Sequence, residues 1–397
     1  MEFAVLIAVM ALGGVALLMR VFNTSIITLP MACLSVGIVL YFVDVVPPNS
    51  MGKALELVAE ATLAIVLFVD ASQLKIAAIR RNAEWPTRML ALGLPLAIGL
   101  GSLVFLPFFP GMPIWEIVLL AALLAPTDAA LGEAVFSNPK VPERIREALT
   151  AESGLNDGLA LPAIIFFACA AVGFDHDLDQ GNWVLFAGSQ IFVGVGVGAL
   201  LGAAGGWASH ESVHRGFAEA QSSAVFGLLL VAIVFFAAET LGGNPFVAVF
   251  VAGILFGKFA KDCAGRARQF LHTEGTILLM VAFVYIGAIL VPKGLMAVDL
   301  RIFIAVLLSL FVVRPLAIWL SLMGTQSNWR TRLFLGWFGP RGLATALFTL
   351  IVLDEFSDKL MSETILATTM LAVVLSTILH GVSAHFAARL CRDNFDE

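Results

Sequence analysis

Four residues of one predicted helix carry groups that can bind a cation or a proton: Glu152, Ser153, Asn156 and Asp157. Ser153 and Asp157 are spaced i, i+4, so a hydroxyl and a carboxylate lie on one helix face. Glu152 and Asn156 form a second such pair beside it. Hard oxygen atoms of this kind suit a partly dehydrated alkali cation. We predict that Asp157 and Ser153 form an ion site and that Glu152, neutralised by an arginine, is structural. A structural ion pair is the alternative for Asp157.

The helix that carries these groups must lie in a membrane, because the chain is too apolar for a water-soluble domain. Of its 397 residues, 60% are hydrophobic and 13% are charged, and its mean hydropathy is +0.96. This composition is typical of a polytopic membrane protein. Thirteen apolar stretches predict transmembrane helices, of which the ninth is short: residues 3–19, 24–43, 54–73, 87–107, 113–136, 147–173, 183–207, 222–241, 245–257, 276–292, 302–323, 332–353 and 364–388.

Charged side chains toward the interior of these predicted spans are the clearest functional signal. There are six: Asp70, Asp128, Glu152, Asp157, Arg314 and Arg341. An ionised side chain at mid-membrane costs on the order of 3 kcal/mol, and Asp157 lies about 15 Å along its helix, near the middle of a ~30 Å core. The six must therefore face one another or a water-filled cavity. Four acids against two bases leave two formal negative charges, which we expect cations or protons to balance.

Two predicted helices contain helix breakers near mid-span, Pro126 in the fifth and Gly339-Pro340 in the twelfth. A proline there removes a backbone donor and clashes with the preceding turn, and unwound backbone at this depth must line a cavity or pack inside protein. One interrupted helix in each half of a chain is typical of an inverted-repeat transporter with its site at their crossing. We expect Asp128 near helix N-termini and Arg341 near exposed carbonyl ends. Ordinary proline kinks are the alternative.

The placement of Lys and Arg predicts how the chain crosses the membrane. Most of the 23 basic residues fall in alternate loops, which by the positive-inside rule places the N-terminus outside and the C-terminus inside. The first span has no basic leading segment, so we expect a retained helix rather than a signal peptide. We expect residues 1–397 to form a single transmembrane domain without a soluble regulatory domain. No basic stripe suggests nucleic acid, and the four cysteines have no metal-site spacing.

Two other ionisable residues give weaker signals. Asp70 lies near the inner end of its span, and three roles stay open for it: lining a cytoplasmic funnel, supplying a further carboxylate near the ion, or lying at the membrane interface with no special role. His380 is a lone histidine in the last span. We predict that it is a packing residue rather than a proton relay.

Short segments spread over nearly the whole chain carry a family resemblance. They are Pro126-Thr127-Asp128, the run from Glu152 to Gly158, the run from Gly243-Asn244-Pro245 to Gly253, Arg314, Gly339-Pro340-Arg341-Gly342, and the run from Leu375-Ser376-Thr377 to Gly381. In this order they resemble the monovalent cation/proton antiporters of the NhaP and NHE type. The Asn-Asp pair with its upstream Glu-Ser is the most specific part. The resemblance implies a thirteen-helix NhaP/NhaA-like fold, in which a core domain moves against a dimerisation domain of a homodimer.

The resemblance also implies roles for individual residues. Asp157 matches the aspartate that binds either the cation or a proton, and the residues that contribute to this Na⁺ site directly or through water are Ser153, Thr127 and Asp70. Position 70 is Asp where bacterial members often have Glu. The residues implied to hold the crossing together are Asn156 and Asp128. Glu152 is implied to pair with an arginine, for which we favour Arg314 over Arg341.

We therefore predict a secondary active transporter that exchanges Na⁺ or Li⁺ for H⁺ across a bacterial inner membrane by alternating access. One carboxylate beside a neutral Asn carries either one cation or one proton, so electroneutral 1:1 exchange follows if both compete for Asp157. The alternatives are exchange of K⁺ or of a broad range of cations, and a channel or ion sensor. We expect no enzyme and no cofactor, because there is no HExxH motif and no suitably placed Ser/His pair.

Overall fold

A computed structural model of the protein describes residues 2–22, 25–43, 53–73, 84–136, 138, 140–172, 182–260, 275–356 and 359–394. Within these ranges every regular element is a helix, and no strand is present. The all-α class expected from the composition is therefore confirmed.

The helices follow one another along the chain with short connections. Leaving aside the single turn Met19–Phe22, they are α1 Glu2–Leu17, α2 Leu29–Phe42, α3 Lys53–Gln73, α4 Glu84–Phe105, α5 Ile114–Leu123, α6 Ala129–Phe136, α7 Glu143–Ala171, α8 Asn182–His214, α9 Ala220–Thr240, α10 Pro245–Phe259, α11 Gly275–Met296, α12 Leu300–Ser321, α13 Trp329–Trp337, α14 Leu343–Phe356 and α15 Ser362–Asn394.

Six of the helices in the described ranges are long and apolar enough to cross a membrane: α4, α7, α8, α11, α12 and α15. Most of the others are shorter apolar helices. Every one of the thirteen predicted stretches coincides with a helix or, in two cases, with a pair of short helices. The chain is thus a multi-pass membrane protein, and the number of thirteen crossings stays a prediction.

Side chains that follow sequence rules cap several of these helices. Asn244 precedes α10 and its Oδ1 accepts hydrogen bonds from the N–H groups of Phe246 and Val247, both at 3.0 Å. Asp299 precedes α12 and accepts from the N–H of Ile302 at 2.8 Å. These bonds satisfy donors that the first helical turn leaves without intrahelical partners.

Three of the described helices contain a π-helical turn, and each turn lies just before a proline. The π turns span Met89–Gly93 in α4, Ile286–Leu290 in α11 and Ser309–Val313 in α12. In each case the second residue after the turn is proline. A proline cannot donate to the preceding turn and its ring needs room there, so a widened turn relieves the clash. The turn in α12 ends directly before Arg314.

The helices packed around α7 position its polar residues. This helix packs against α3, α5, α6 and α14, while α15 packs against α6, α11 and α14. Next to it, α3 runs along α10, with the rings of Phe68 and Phe256 in contact at a centroid distance of 5.4 Å. The short helices on either side of the two interruptions are therefore enclosed by longer ones.

Candidate ion site

Both predicted interruptions are present in the structure. Helix α5 ends at Leu123 and α6 begins at Ala129, while α13 ends at Trp337 and α14 begins at Leu343. The intervening residues 124–128 and 338–342 are not helical and are buried. The prediction of two unwound helices is confirmed, and we call the place where these two breaks meet the crossing.

Asp128 connects the two breaks. Its backbone N–H donates to the carbonyl oxygen of Pro340 at 2.8 Å. Its Oδ2 accepts from the N–H of Leu343, the first residue of α14, at 2.6 Å. Asp128 also directly precedes α6, so its negative charge lies at two helix N-termini, where the backbone dipoles favour an anion.

Arg341 provides the opposite charge at the opposite helix ends. Its Nε donates to the carbonyl oxygen of Leu124 at 2.7 Å, and its Nη1 donates to that of Gly339 at 2.8 Å. These carbonyls follow the C-terminal ends of α5 and α13, where helix dipoles favour a cation. The backbone N–H of Arg341 donates to Oγ of Ser376 on α15 at 2.7 Å. Arg341 is 2% exposed, so it compensates these helix ends as a buried group.

The glycines beside Pro340 allow this close packing. A Cβ on Gly339 would overlap the guanidinium of Arg314, and a Cβ on Gly342 would overlap Oδ2 of Asp128. Both positions therefore need a residue without a side chain. The Gly-Pro-Arg-Gly segment is thus explained by two charged groups that lie directly against the backbone.

Glu152 and Arg314 form a buried ion pair. Nη2 of Arg314 donates to both carboxylate oxygens of Glu152, each at 2.8 Å, and both side chains are 3% exposed. Arg341 instead engages the backbone carbonyls at the crossing. The pair joins α7 to α12.

Ser153 and Asn156 turn toward the break between α5 and α6. Oγ of Ser153 donates to the carbonyl oxygen of Thr127 at 2.9 Å. Nδ2 of Asn156 lies 3.4 Å from Oγ1 of Thr127, at the long end of a hydrogen bond. Oδ1 of Asn156 is buried and accepts no hydrogen bond within the described part of the chain. Helix α7 and the break thus bring hydroxyl, amide and carbonyl groups together.

Asp157 lies one helical turn beyond Ser153 and is half-buried, whereas Ser153 and Asn156 are buried. The i, i+4 spacing puts it on the face that Ser153 directs to Thr127. Among the described residues no group of three or more His, Cys, Asp or Glu side chains could hold a metal ion. Among the described residues, the oxygen atoms beside the break include the carboxylate of Asp157, the hydroxyls of Ser153 and Thr127, the amide oxygen of Asn156 and the carbonyl oxygen of Thr127. Asp70 belongs to α3, but its side chain lies outside the described residues.

Several groups at the crossing carry no signal in the sequence. The carbonyls of Leu124 and Pro340 and the N–H of Leu343 act through the backbone, so the residue type does not reveal them. Ser376 is different, because it belongs to a segment that carried the family resemblance. Its contact with the break could have been proposed from that segment, although no role for it was predicted.

Comparison with known proteins agrees with this geometry. Residues 5–390 match the family model described as the transmembrane sodium/hydrogen exchanger. A K⁺/H⁺ antiporter NhaP2 of Shewanella sp. (strain ANA-3) is 25% identical over 343 residues, which cover 85% of this chain and 58% of that protein. A probable Na⁺/H⁺ antiporter of Schizosaccharomyces pombe is 27% identical over 334 residues, covering 79% of this chain and 43% of that protein. The chain thus spans less than two thirds of the length of these relatives.

A solved structure has the same fold. The sodium proton antiporter MjNhaP1 from Methanocaldococcus jannaschii, determined at pH 8, superimposes with a TM-score of 0.82 at 20% identity, covering 100% of this chain and 99% of that one. The match of the family model to residues 5–390 of this chain, together with two crossing interrupted helices, gives one conclusion. The chain belongs to the sodium/hydrogen exchanger family, whose members are membrane cation/proton antiporters and not enzymes.

Proposed function

We propose that the protein exchanges Na⁺ or Li⁺ for H⁺ by alternating access and that Asp157 is the carboxylate both substrates share. The observation that carries this proposal is the position of Asp157 beside the unwound break. Asp157 is half-buried and lies one helical turn beyond Ser153, whose Oγ donates to the carbonyl oxygen of Thr127 in the break at 2.9 Å. Its carboxylate thus lies on the helix face that meets hydroxyl and carbonyl oxygen atoms, which suit an alkali cation. Glu152 is paired with Arg314, and Asp128 bonds the N-terminus of α14, so both of these carboxylates have structural contacts at the crossing.

In the cation-loaded form, Asp157 binds the ion together with oxygen atoms of Ser153 and Thr127, and Asp70 contributes directly or through water. In the proton-loaded form, the same carboxylate holds H⁺. Either form is neutral at this position, so the loaded site crosses the membrane without net charge and exchange is electroneutral at 1:1. Asn156, the neutral residue beside Asp157, adds no second charge to the site and contributes to holding the break in place.

Exchange of K⁺ for H⁺ is the second candidate, and the names of the Shewanella relatives favour it. Selectivity between alkali cations depends on the size of the cavity and the number of coordinating oxygen atoms. Broad cation specificity belongs to the same candidate.

The physiological setting forms part of the same proposal. Residues 1–397 are proposed to act as one transmembrane domain, with the N-terminus outside and the C-terminus inside, in a bacterial inner membrane. The protein is proposed to be a homodimer that uses only the transported ions and the lipid bilayer as partners, without a cofactor or nucleic acid. Sodium transport and pH homeostasis are the cellular roles that this proposal implies.

The test is a pH-gradient dequenching assay in proteoliposomes to which Na⁺, Li⁺ and K⁺ are added separately. Wild type and Asp157→Asn are compared with Asp299→Asn, a matched control whose Asn still caps α12. We expect dequenching in wild type and the control and none in Asp157→Asn, and the order of the ions identifies the substrate. If Asp157→Asn still exchanged cations for protons, the Asp157 carboxylate would have a structural role and would not be the group that both substrates share. A current driven by a Na⁺ gradient without a pH gradient would contradict electroneutrality.

A further inference from the structure

His380 on α15 contacts the break between α13 and α14 although it is remote from it in sequence. Its Nε2 lies 2.8 Å from the carbonyl oxygen of Trp337, the last residue of α13. Its Nδ1 lies 3.0 Å from both Oγ and the carbonyl oxygen of Ser376. The imidazole also stacks on the indole of Trp337, at a centroid distance of 4.9 Å and an angle of 27°. The residue is 2% exposed.

These contacts require Nε2 of His380 to carry a proton, because the Trp337 carbonyl can only accept a hydrogen bond. Nδ1 lies 3.0 Å from two groups of Ser376, the hydroxyl, which can donate, and the carbonyl oxygen, which can only accept. The hydroxyl of Ser376 also accepts the backbone N–H of Arg341 at 2.7 Å. The hydrogen bond from Nε2 to Trp337 is therefore the same in either protonation state of Nδ1. It ends at a backbone carbonyl, which cannot pass a proton onward.

The result is a continuous chain of hydrogen bonds across the break, from the Trp337 carbonyl through His380 and Ser376 to the Arg341 N–H. Ser376 and His380 are spaced i, i+4 and so lie on one face of α15. One helical turn of α15 thus contacts Trp337, where α13 ends, and Arg341, whose side chain bonds carbonyls at the C-terminal ends of α5 and α13. Pro340, whose carbonyl accepts the N–H of Asp128, lies between these two attachments.

We infer that His380 is a positioning residue, which with Ser376 attaches the second break to α15 and so fixes the backbone that faces Asp128 and the ion site. A proton relay would need the imidazole to release and take up protons. A positioning role needs only a donor at the place of Nε2. The inference rests on the proposed function for its transport readout, but not for its structural readout.

Two amide replacements separate these roles. In His380→Gln the side-chain amide nitrogen can occupy the place of Nε2 and donate to the Trp337 carbonyl, whereas the shorter side chain in His380→Asn reaches only the place of Nδ1. Ser383→Ala is the control, because it removes the acceptor for Nε1 of Trp337, 3.0 Å away, without touching the carbonyl. Neither amide side chain can take up and release a proton at position 380, whereas Ser383→Ala keeps the imidazole of His380.

The structural readout is hydrogen–deuterium exchange of the backbone amides in residues 338–343 of the purified full chain. Loss of one buried hydrogen bond predicts amide exchange there that is about tenfold faster in His380→Asn. His380→Gln and Ser383→Ala should match wild type. Equal protection in all variants, or equal loss in His380→Gln and His380→Asn, would overturn the inference. If His380→Asn does not fold, His380→Gln alone still tests the inference, because its amides in residues 338–343 must be as protected as those of wild type.

The transport readout is the rate of cation/proton exchange across a range of pH. His380→Gln should keep the wild-type pH profile, and His380→Asn should lose about tenfold in rate at every pH. An inactive or pH-shifted His380→Gln that keeps full amide protection would show a proton-handling role and refute ours. If wild type itself exchanges no cation, the proposed function fails, while the amide protection pattern still decides the role of His380.

Discussion

The buried pair of Glu152 and Arg314 allows a quantitative test of the account. Opposite charges about 4 Å apart at an effective dielectric constant of about 20 attract by roughly 4 kcal/mol. Both side chains are 3% exposed, so removing one leaves the other charge in a nearly dry environment. We therefore expect Glu152→Leu and Arg314→Met each to lower the free energy of unfolding by about 3–5 kcal/mol.

The double variant should be far less destabilised than the sum of the two single ones. Replacing both charges by apolar side chains removes the desolvation cost together with the attraction, which is often close to neutral. A double-mutant cycle measured by detergent-denaturant unfolding should thus give a coupling energy of about 3 kcal/mol or more. Because the pair is assigned to structure, the double variant should still exchange cations for protons.

The exposed pair of Glu211 and Arg215 is the matched control within the same chain. Its nitrogen–oxygen distance is 2.6 Å, but the arginine side chain is 60% exposed, so removing either partner should have a much smaller effect. Additive losses in the Glu152 and Arg314 cycle, or equal coupling in the exposed pair, would refute the reasoning. A stable double variant that has lost exchange would show that the buried pair acts in transport itself.

The remaining predictions concern the crossing. Gly339→Ala should displace the Arg314 guanidinium and lower the unfolding free energy by about 1–3 kcal/mol, as overpacking does; stability equal to wild type would contradict the packing described. Arg341→Lys should reduce the exchange rate even at full expression, since a lysine is a point donor without the rigid fork that reaches two helix ends; unchanged exchange kinetics would argue against that role. Ser153→Ala should raise the apparent KM for the cation in dequenching assays, with a smaller change in maximal rate, and an unchanged KM would exclude Ser153 as an ion ligand.

The sequence predicted the architecture because membrane burial makes charge and helix breakers informative. An ionised group or a proline within an apolar span is costly, so Pro126, Asp128 and the Gly339–Gly342 segment identified both breaks. Long apolar stretches located the helices for the same reason. The exact helix ends and the π turns were not predicted, because they depend on how prolines such as Pro315 pack against neighbouring turns.

The detailed contacts at the site were only partly predictable. A preference for Arg314 over Arg341 as partner of Glu152 came from the family resemblance, and spacing alone left it open. The attachments to Ser376 and His380 depend on the packing of α15 against the break, which no local pattern encodes. An isolated polar residue in an apolar helix is often a packing residue without a functional role. The three-dimensional contacts were therefore needed to assign roles to Ser376 and His380.

The most direct test of the central claim is proton release when Na⁺ is added to the purified protein in weakly buffered detergent solution. If one carboxylate binds either substrate, cation binding must expel the proton held there, and wild type should release close to one proton per bound Na⁺ at a pH where the site is protonated. The variant Asp157→Asn should release none, while Asp299→Asn should behave as wild type. Undiminished proton release from Asp157→Asn, or cation binding by wild type without any proton release, would contradict a shared carboxylate at Asp157.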